Sequence, residues 1–263
     1  MTTNPKPLPP RATPLRPRRR AIIVGASSGI GAALARHLAR DGYMLALLAR
    51  RADLLANLCD EINSAAGETR ALAYPHDVTD YDSVPDLLQR ILVDLGGLDL
   101  FVYNTGISLP VGLKKYDFEK DRHTTEANYL GALAWLNPVA AMFQNLKSGQ
   151  IVGLSSAAGE RGRVGNPSYN ASKAALTCYL EALRNRLSRY GVNVLTAKPG
   201  FVDTDMIVSA KSTFWVISAE QAAADICRAI RKRRQQVYTP ARWRLVMLIV
   251  RNIPSVIFRR LIF

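Results

Sequence analysis

The chain has 263 residues, 48% of them hydrophobic and 21% charged, and a formal net charge of +14. This length and composition suit one large domain with a sizeable core, and they exclude a collagen-like, low-complexity or wholly disordered protein. The positive charge is concentrated at the two ends, because residues 1–20 hold six basic residues and residues 228–263 hold ten, with no acid in either segment. We therefore expect the ends, rather than the nearly neutral body, to meet an anionic surface.

The first 19 residues form a leader rich in proline and arginine. Proline disfavours helix and the segment has too few apolar residues to fold, so we predict a disordered leader over residues 1–19. It lacks the apolar run of a secretory signal. The isolated cysteines and histidines show no metal-ligand spacing, so we expect no metal site and reduced thiols in a cytoplasmic protein: Cys59, Cys178, Cys227, His37, His76 and His123.

From residue 20 onward, short apolar runs alternate with segments of helical periodicity. The runs predict strands at residues 21–24, 43–49, 71–74, 98–103, 150–155, 192–197 and 236–238, and the periodic segments predict helices at residues 30–40, 52–65, 83–95, 117–146, 168–190 and 218–233. Such alternation predicts βαβ units with right-handed crossovers, and therefore a doubly wound parallel sheet between two helical layers. We predict one three-layer α/β domain over residues 20–240 and a basic, apolar tail over residues 241–263.

A glycine-rich turn follows the first predicted strand directly and opens the first helix. Glycines permit a tight turn and let backbone N–H groups approach a phosphate at a helix N-terminus. The turn therefore predicts a pyrophosphate site, although its spacing is GxxxGxG rather than GxGxxG and an ordinary strand-to-helix turn is the alternative. The candidate cofactor-binding residues in it are Gly25, Ser27, Ser28, Gly29, Ile30 and Gly31.

Two basic residues, Arg50 and Arg51, follow the second predicted strand. In a dinucleotide-binding fold this position faces the adenosine ribose, where an acidic residue favours NAD(H). Guanidinium groups instead match the charge and geometry of a 2′-phosphate. The pair therefore favours NADP(H) over NAD(H), and the alternative is a solvated basic pair that opens a helix.

The spacing of Tyr169 and Lys173 is the strongest indication of chemistry. Residues four apart lie on one face of a helix, so a phenol and an ammonium come together at the helix start. A free tyrosine has a pKa of about 10, and a nearby fixed cation favours the phenolate and lowers that pKa. The pair is thereby predicted to exchange a proton near neutral pH. An ordinary ion-dipole pair on a helix surface is the alternative.

Further polar residues follow other predicted strands. Asn104-Thr105-Gly106 comes after the fourth strand, Ser156 lies thirteen residues before Tyr169, and Asn128 lies on the long predicted helix. Ligands of open α/β sheets bind at the carboxyl ends of the strands, where these motifs fall. The segment after the sixth strand adds Pro199, Gly200, Val202 and Thr204.

This ordered set resembles the short-chain dehydrogenase/reductase family, in its shorter single-domain branch, over about residues 20–240. The resemblance implies a Rossmann fold and an NAD(P)-dependent oxidoreductase that converts a ketone to a secondary alcohol or the reverse. It implies that Tyr169 donates a proton to the carbonyl oxygen and that Lys173 lowers the pKa of Tyr169 and binds the nicotinamide ribose. Ser156 would stabilise the substrate oxygen, and Asn128 would hold a proton-relay water.

The resemblance also assigns residues to the cofactor. Asp77 and Val78 would contact the adenine, and Asn104 with Gly106 would support the sheet beside the cofactor. Pro199, Gly200, Val202 and Thr204 would hold the nicotinamide end. The chain departs from the family pattern at Val24, Tyr103 and Thr105, which concern the turn and the cofactor support rather than the chemical groups.

The C-terminal tail combines apolar runs too short to span a bilayer with flanking arginines and Trp243. Such a segment suits peripheral contact with an anionic membrane at its inner face, and packing on the body or on a partner subunit is the alternative. The tail is loosely similar to those of bacterial reductases that act on polyprenyl-phosphate-linked keto-sugars. A lipophilic or lipid-linked ketone is therefore the expected substrate, and the apolar residues after Thr204 agree with it: Met206, Ile207, Phe214, Trp215, Val216 and Ile217.

Other functions remain open from the sequence. A dinucleotide-binding regulator or membrane-associated scaffold without turnover is one alternative. A nucleic-acid-binding module is another, because basic charge supports non-specific phosphate binding, but the ends lack a recognisable reading motif and we expect no specific nucleic acid. The family resemblance further implies a homodimer or homotetramer.

Overall fold

The computed structural model describes residues 19–206 and 213–261. Within them, seven parallel strands form one sheet in the order β3-β2-β1-β4-β5-β6-β7, as the doubly wound prediction requires. The chain order reverses between β1 and β4, which creates a crevice at the carboxyl ends of these two strands. The strands are β1 (Arg19–Val24), β2 (Tyr43–Ala49), β3 (Ala71–Pro75), β4 (Leu100–Tyr103), β5 (Gln150–Leu154), β6 (Asn193–Pro199) and β7 (Gln236–Thr239).

Helices cover both faces of the sheet and complete the three predicted layers. Those within the domain are α1 (Gly29–Arg40), α2 (Ala52–Ala66), α3 (Val84–Leu95), α4 (Phe118–Thr125), α5 (Gly131–Leu146), α6 (Pro167–Leu187) and α7 (Ala219–Arg231). Side chains alternate across a strand, so Ile22 and Val24 of β1 pack in the core beneath α3, α5 and α6, while Ile23 packs beneath α1, α2 and α7. The predicted leader lies outside the described residues, except that Arg19 begins β1.

The predicted helical stretch over residues 117–146 is confirmed, but a π-helical turn (Glu126–Leu130) interrupts it between α4 and α5. The hydroxyl of Tyr103, at the end of β4, donates a 2.7 Å hydrogen bond to the carbonyl oxygen of Ala127 in this turn. In a π turn, backbone N–H and C=O groups depart from the regular hydrogen-bonding pattern of an α-helix, and such turns are common at functional sites. This one contains the candidate residue Asn128.

The C-terminal tail forms two helices, α8 (Trp243–Asn252) and α9 (Ser255–Phe258), and α8 packs on the body. Trp243 and Met247 are buried against Ala157 and Tyr238. The expectation that Trp243 lies at a membrane interface is therefore wrong, because its ring fills the space over Gly200, where a methyl group would collide with it. Packing on the body, the alternative considered for the tail, holds for this face of α8.

An ionic cluster fixes α8 beside the short 3-10 turn (Ala157–Glu160) that follows β5. The carboxylate of Glu160 is buried, with Lys198 Nζ 2.6 Å from one oxygen and Arg251 Nη1 3.4 Å from the other. Tyr238 donates a 2.9 Å hydrogen bond to the oxygen that faces Lys198. Two cations and a hydroxyl thus compensate the buried charge of Glu160.

The opposite face of the tail is exposed and apolar. Its large hydrophobic side chains are at least one-third exposed, and they are Leu245, Leu248, Ile249, Val256, Ile257 and Leu261. Arginines flank them at positions 242, 244, 259 and 260. None of the helices in the described part of the chain is long and apolar enough to cross a membrane.

Candidate active site

The glycine turn between β1 and α1 is held tightly against its neighbours. Gly25 has a φ of +88°, which glycine adopts without strain, and its N–H donates a 2.8 Å hydrogen bond to the carbonyl oxygen of Leu48 in β2. The side chain of Asn104 donates a 2.6 Å hydrogen bond to the carbonyl oxygen of Gly25. A methyl group at Gly31 would collide with that same carbonyl. Asn104 therefore supports the turn from the end of β4.

The start of α1 offers a site that suits a pyrophosphate. Ser28 is the N-cap residue, and its side chain makes no capping hydrogen bond, so backbone N–H groups of the first turn have no side-chain partner. A cavity of about 530 Å³ lies between this turn and the segment after β6, and its lining includes Ser27, Ser28, Gly29, Arg36, Thr204 and Asp205. The glycine turn and the helix N-terminus fit a dinucleotide phosphate, and the carboxylates of Asp203, Asp205 and Glu220 line the other parts of the open volume.

The two arginines after β2 have different partners. Arg51 donates hydrogen bonds of 3.0 Å and 2.6 Å to the hydroxyl oxygens of Ser27 and Ser28, so its guanidinium lies over the glycine turn. Arg50 is more exposed and lies 3.8 Å from a carboxylate oxygen of Asp77. Both arginines therefore lie beside the turn, and Arg51 is the one in direct contact with it.

Asp77 and Val78 follow β3 and form the adjoining wall. Burial acts to raise the pKa of Asp77, but hydrogen bonds from the N–H and hydroxyl of Thr79, together with the charge of Arg50, lower it. Val78 is buried beside Gly131 at the start of α5. The carboxylate of Asp77 thus interacts with Thr79 in its own loop and with Arg50. Val78 supplies an apolar surface.

Lys173 lies inside the protein, 3% exposed, in the second turn of α6. Its ammonium donates a 3.0 Å hydrogen bond to the carbonyl oxygen of Leu154 at the end of β5, and no carboxylate is paired with it among the described residues. Burial lowers the pKa of Lys173 to about 8. A methyl group at Gly106 would lie 2.7 Å from Nζ, so the glycine leaves room for the ammonium.

Tyr169 lies one turn earlier on α6, with Lys173 Nζ 5.9 Å from the centre of its ring. Burial raises the pKa of Tyr169, and this effect outweighs the hydrogen bond with Ser156 and the charge of Arg163, which lower it. That Lys173 lowers this pKa stays a prediction, because among the described residues only Ser156 and Arg163 lower it. The ammonium of Lys173 donates a hydrogen bond to the carbonyl oxygen of Leu154, and burial lowers the pKa of Lys173 itself.

Ser156 is placed by the turn after β5. Its hydroxyl oxygen accepts a 3.1 Å hydrogen bond from the N–H of Ala158 and caps the 3-10 turn. The same hydroxyl donates a 3.4 Å hydrogen bond to the carbonyl oxygen of Pro199 at the end of β6. The serine therefore joins the ends of β5 and β6 beside the phenol of Tyr169.

Asn128 is fully buried in the π turn, and its side-chain amide is committed to protein groups. Its oxygen accepts a 2.7 Å hydrogen bond from the N–H of Ile107, and its nitrogen donates to the carbonyl oxygen of Ile107 at 2.9 Å and to the hydroxyl of Ser172 at 3.1 Å. The side chain thus fixes the segment after β4 against α6. If Asn128 holds the proton-relay water, its backbone rather than this side-chain amide would bind that water.

The segment after β6 closes the other side of the crevice. The N–H of Gly200 donates a 2.9 Å hydrogen bond to the carbonyl oxygen of Thr239, and Val202 forms an isolated parallel bridge with Ile217. A methyl group at Gly29 would lie 2.9 Å from the methyl carbon of Thr204. Thr204 therefore packs directly on the glycine turn, as a residue beside the cofactor would.

The structure brings all the candidate residues to the carboxyl edge of the sheet, around one crevice. It also adds a residue that the sequence analysis missed. Arg163 lies in the loop before α6, close enough to Tyr169 for their charges to interact. Its position six residues before the tyrosine could have directed attention to it, but the sequence carries no signal of its partial burial.

A candidate phosphate site at a glycine turn, next to a partly buried phenol and a buried hydroxyl and ammonium, is typical of a dinucleotide-dependent oxidoreductase of the parallel α/β class. The chain belongs to the short-chain dehydrogenase family, because the family model described as short chain dehydrogenase matches residues 19–214. It is accordingly an NAD(P)-dependent dehydrogenase or reductase with a Rossmann-type fold.

Relatives with curated names agree with this membership. The chain is 37% identical to an uncharacterized oxidoreductase of Myxococcus xanthus, over 72% of this chain and 74% of that protein. It is 30% identical to an uncharacterized oxidoreductase of Mycobacterium tuberculosis, over 85% of this chain and 88% of that one. A ketoacyl reductase of Nostoc is 28% identical over 82% of this chain and 76% of its own length.

Solved structures show the same fold at low sequence identity. A short-chain dehydrogenase from Sphingobium yanoikuyae, in complex with NADPH, superposes with a TM-score of 0.78 at 23% identity, and the match covers 90% of this chain and 97% of that one. A short-chain type dehydrogenase/reductase from Mycobacterium ulcerans has a TM-score of 0.76 at 22% identity, over 84% and 87% of the two chains.

The buried ammonium of Lys173 makes stability depend on pH. Its pKa in the folded protein is about 8, below the value of about 10.4 for an exposed lysine, so the unfolded chain binds more protons between these two values. We expect the free energy of unfolding of the wild type to rise relative to that of Lys173→Met as pH increases from 7 to 10, by up to about 1.4 kcal/mol per pH unit. Urea unfolding of both proteins at a series of pH values measures this, and a constant difference would mean that the ammonium is not buried.

Proposed function

We propose that this protein is an NADPH-dependent reductase that converts a ketone to a secondary alcohol, and catalyses the reverse reaction when alcohol and oxidised cofactor are in excess. The observation that carries the proposal is the junction of α6 with the ends of β5 and β6, where Ser156 contacts Tyr169 and Lys173 is buried beside them. This group of side chains lies at the same sheet edge as the glycine turn.

Each side chain has a defined part in this proposal. When bound, the dinucleotide supplies the hydride. Ser156 and Tyr169 hydrogen-bond the carbonyl oxygen, and Tyr169 donates the proton to that oxygen. Because burial raises the pKa of Tyr169, the phenol keeps its proton at neutral pH and is available as a general acid. Lys173 donates one N–H to the carbonyl oxygen of Leu154. Its other two N–H groups would donate to the nicotinamide ribose and to a water molecule.

The phenol is the group whose removal tests the chemistry. Tyr169→Phe removes the proton donor and retains the ring, so we expect NADPH binding to persist while turnover falls roughly 10²- to 10⁴-fold. NADPH oxidation with 2-alkanones of increasing chain length measures turnover, and fluorescence titration measures binding. Tyr179→Phe, on the same helix but bonded to Asn137, is the matched control. Equal loss of activity in both variants, or none in Tyr169→Phe, would contradict the assigned role.

A preference for NADPH is supported by the basic pair after β2. Arg51 lies over the turn through Ser27 and Ser28, and Arg50 lies next to it with only a 3.8 Å contact to Asp77. Guanidinium groups at this place suit a 2′-phosphate, whereas the ribose hydroxyls of NADH would gain little from them. The NADPH bound to the Sphingobium yanoikuyae dehydrogenase is consistent with this preference.

Exchange of charge at these positions tests the cofactor preference. We expect Arg50→Asp and Arg51→Ala each to weaken NADPH binding about 10- to 100-fold, because each removes charge-assisted hydrogen bonds to phosphate. NADH binding should hold or improve. Fluorescence titration with both nucleotides measures the effect, and Arg40→Ala, at the far end of α1, is the control. NADH and NADPH affinities that fall together would mean that the arginines only support the fold.

A lipophilic or lipid-linked substrate is supported by aromatic side chains near the crevice. Phe214 lies 5.4 Å from Phe201 and 5.3 Å from Trp243, and Trp215 lies 6.0 Å from Trp243, between ring centres. Phe214 and Trp215 remain partly exposed. Ile207, also expected in this surface, lies outside the described residues. These aromatic side chains would contact the apolar chain of a lipophilic substrate near the segment that contains Thr204.

Peripheral contact with the inner face of an anionic membrane is supported by the exposed face of the tail. Apolar side chains of α8 and α9 lie among arginines and have no covering element among the described residues. Apolar insertion and charge attraction act together on such a surface. We also propose a homodimer or homotetramer, as the resemblance implies.

Exposed residues of α8, rather than Trp243, test the membrane contact. We expect Leu245→Glu with Ile249→Glu to release the protein from phosphatidylserine-containing vesicles, because both side chains are more than half exposed and the fold does not need them. Co-sedimentation measures the bound fraction. Val93→Glu, an exposed site on α3, controls for added charge. Unchanged sedimentation of the double variant, or release by Val93→Glu, would contradict contact through the tail.

A further inference from the structure

Arg163 is a cation at the active site that lacks a charged partner among the described residues. It lies in the loop between the 3-10 turn and α6, and it is partly buried. Its Nε atom is buried without a hydrogen bond, and its Nη2 atom reaches Asn170 Oδ1 only at 3.4 Å. Burial lowers the pKa of Arg163, which reflects the cost of holding its charge away from water.

Two fully buried cations outside the candidate active site, Arg184 and Lys198, have their donors satisfied. Arg184 donates hydrogen bonds to the carbonyl oxygens of Val194 and Gln235 and to the hydroxyl of Thr196, at 2.7 to 3.0 Å. Lys198 is paired with the buried carboxylate of Glu160. A buried donor without a partner costs free energy, so the contrast marks Arg163 as a group that suits a ligand from outside the described chain.

The loop that carries Arg163 is held in place at the substrate side of the site. The amide nitrogen of Asn170 donates hydrogen bonds to the carbonyl oxygens of Gly165 at 3.0 Å and Arg163 at 3.4 Å. The amide of Asn166 donates a 3.0 Å hydrogen bond to the hydroxyl of Ser108, in the segment after β4. Asn170 directly follows Tyr169, and the partly buried guanidinium of Arg163 contacts the Asn170 side chain and lies within electrostatic range of the phenol.

We propose that Arg163 binds a carboxylate or phosphate group on the substrate, close to the carbonyl that Tyr169 protonates. The inference rests on the proposed function and deepens it, because it gives a preference among ketones for those that carry a negative group a few bonds from the reacting carbon. Guanidinium is the side chain best suited to such groups, since its planar donors bind two oxygens at once. Arg163 is thus a specificity-determining residue.

Matched ligands that differ in one charge test this assignment. Acetoacetate is compared with methyl acetoacetate, and dihydroxyacetone phosphate with dihydroxyacetone, by isothermal titration into the full-length protein saturated with NADP⁺. We expect at least one anion to bind tenfold or more tightly than its neutral counterpart. The carboxylate and phosphate pairs show which group the site takes. Arg163→Met should abolish the preference, Arg163→Lys should keep part of it, and Arg189→Met, beyond the far end of α6, should leave it intact.

Several results would overturn the proposal. Equal binding of anion and neutral ligand by the wild type would do so without any variant, as would a protein that binds NADP⁺ but none of the four ligands. A preference that survives in an Arg163→Met protein that still binds NADP⁺ would remove Arg163 from the site. If Arg163 acted only on the phenol, its substitution would change the turnover of neutral and anionic ketones alike. A wild-type protein that binds no NADP⁺ would contradict the proposed function itself. This result is distinct from a protein that binds NADP⁺ but shows no preference for the anions, which contradicts only the role of Arg163.

Discussion

The burial of the Lys173 ammonium against the end of β5 is the constraint on which the rest of the site depends. Its hydrogen bond to the Leu154 carbonyl fixes α6 on the sheet, and the hydroxyl of Ser155 donates a 2.8 Å hydrogen bond to the carbonyl oxygen of Lys173 itself. A methyl group at Gly159 would lie 2.7 Å from the backbone of Lys173. Three contacts with the end of β5 and the 3-10 turn after it therefore hold the first turns of α6, which places Tyr169 beside Ser156.

The segment that contains Ser156, the serine proposed to bind the substrate oxygen, also contacts the tail. Ser156 begins the 3-10 turn, Glu160 ends it within the ionic cluster, and Arg161 donates a 2.7 Å hydrogen bond to the carbonyl oxygen of Arg251. One face of α8 consequently packs on the framework of the candidate active site, while the other face is exposed. A tail that bound membrane through its exposed face would hold the crevice at a fixed height above the surface.

The sequence predicts well what depends on local pattern. Apolar runs and helical periods locate the strands and helices, and the i,i+4 spacing places Tyr169 and Lys173 together because that geometry is internal to one helix. Features that depend on distant contacts are not predictable in this way. The π turn at Asn128, the buried cluster around Glu160 and the partial burial of Arg163 each arise from residues far apart in the chain. The raised pKa of Tyr169 follows from burial, which spacing alone does not reveal.

The site that we propose binds a dinucleotide across the carboxyl ends of β1 and β4, with the reactive end of the cofactor at Tyr169 and Lys173. A crystal structure of the protein with NADP⁺ tests this most directly. We expect pyrophosphate density at the glycine turn, the adenosine 2′-phosphate at Arg50 and Arg51, and the nicotinamide ring beside Tyr169. Nucleotide density on another surface, or a nicotinamide ring directed away from Tyr169, would contradict it.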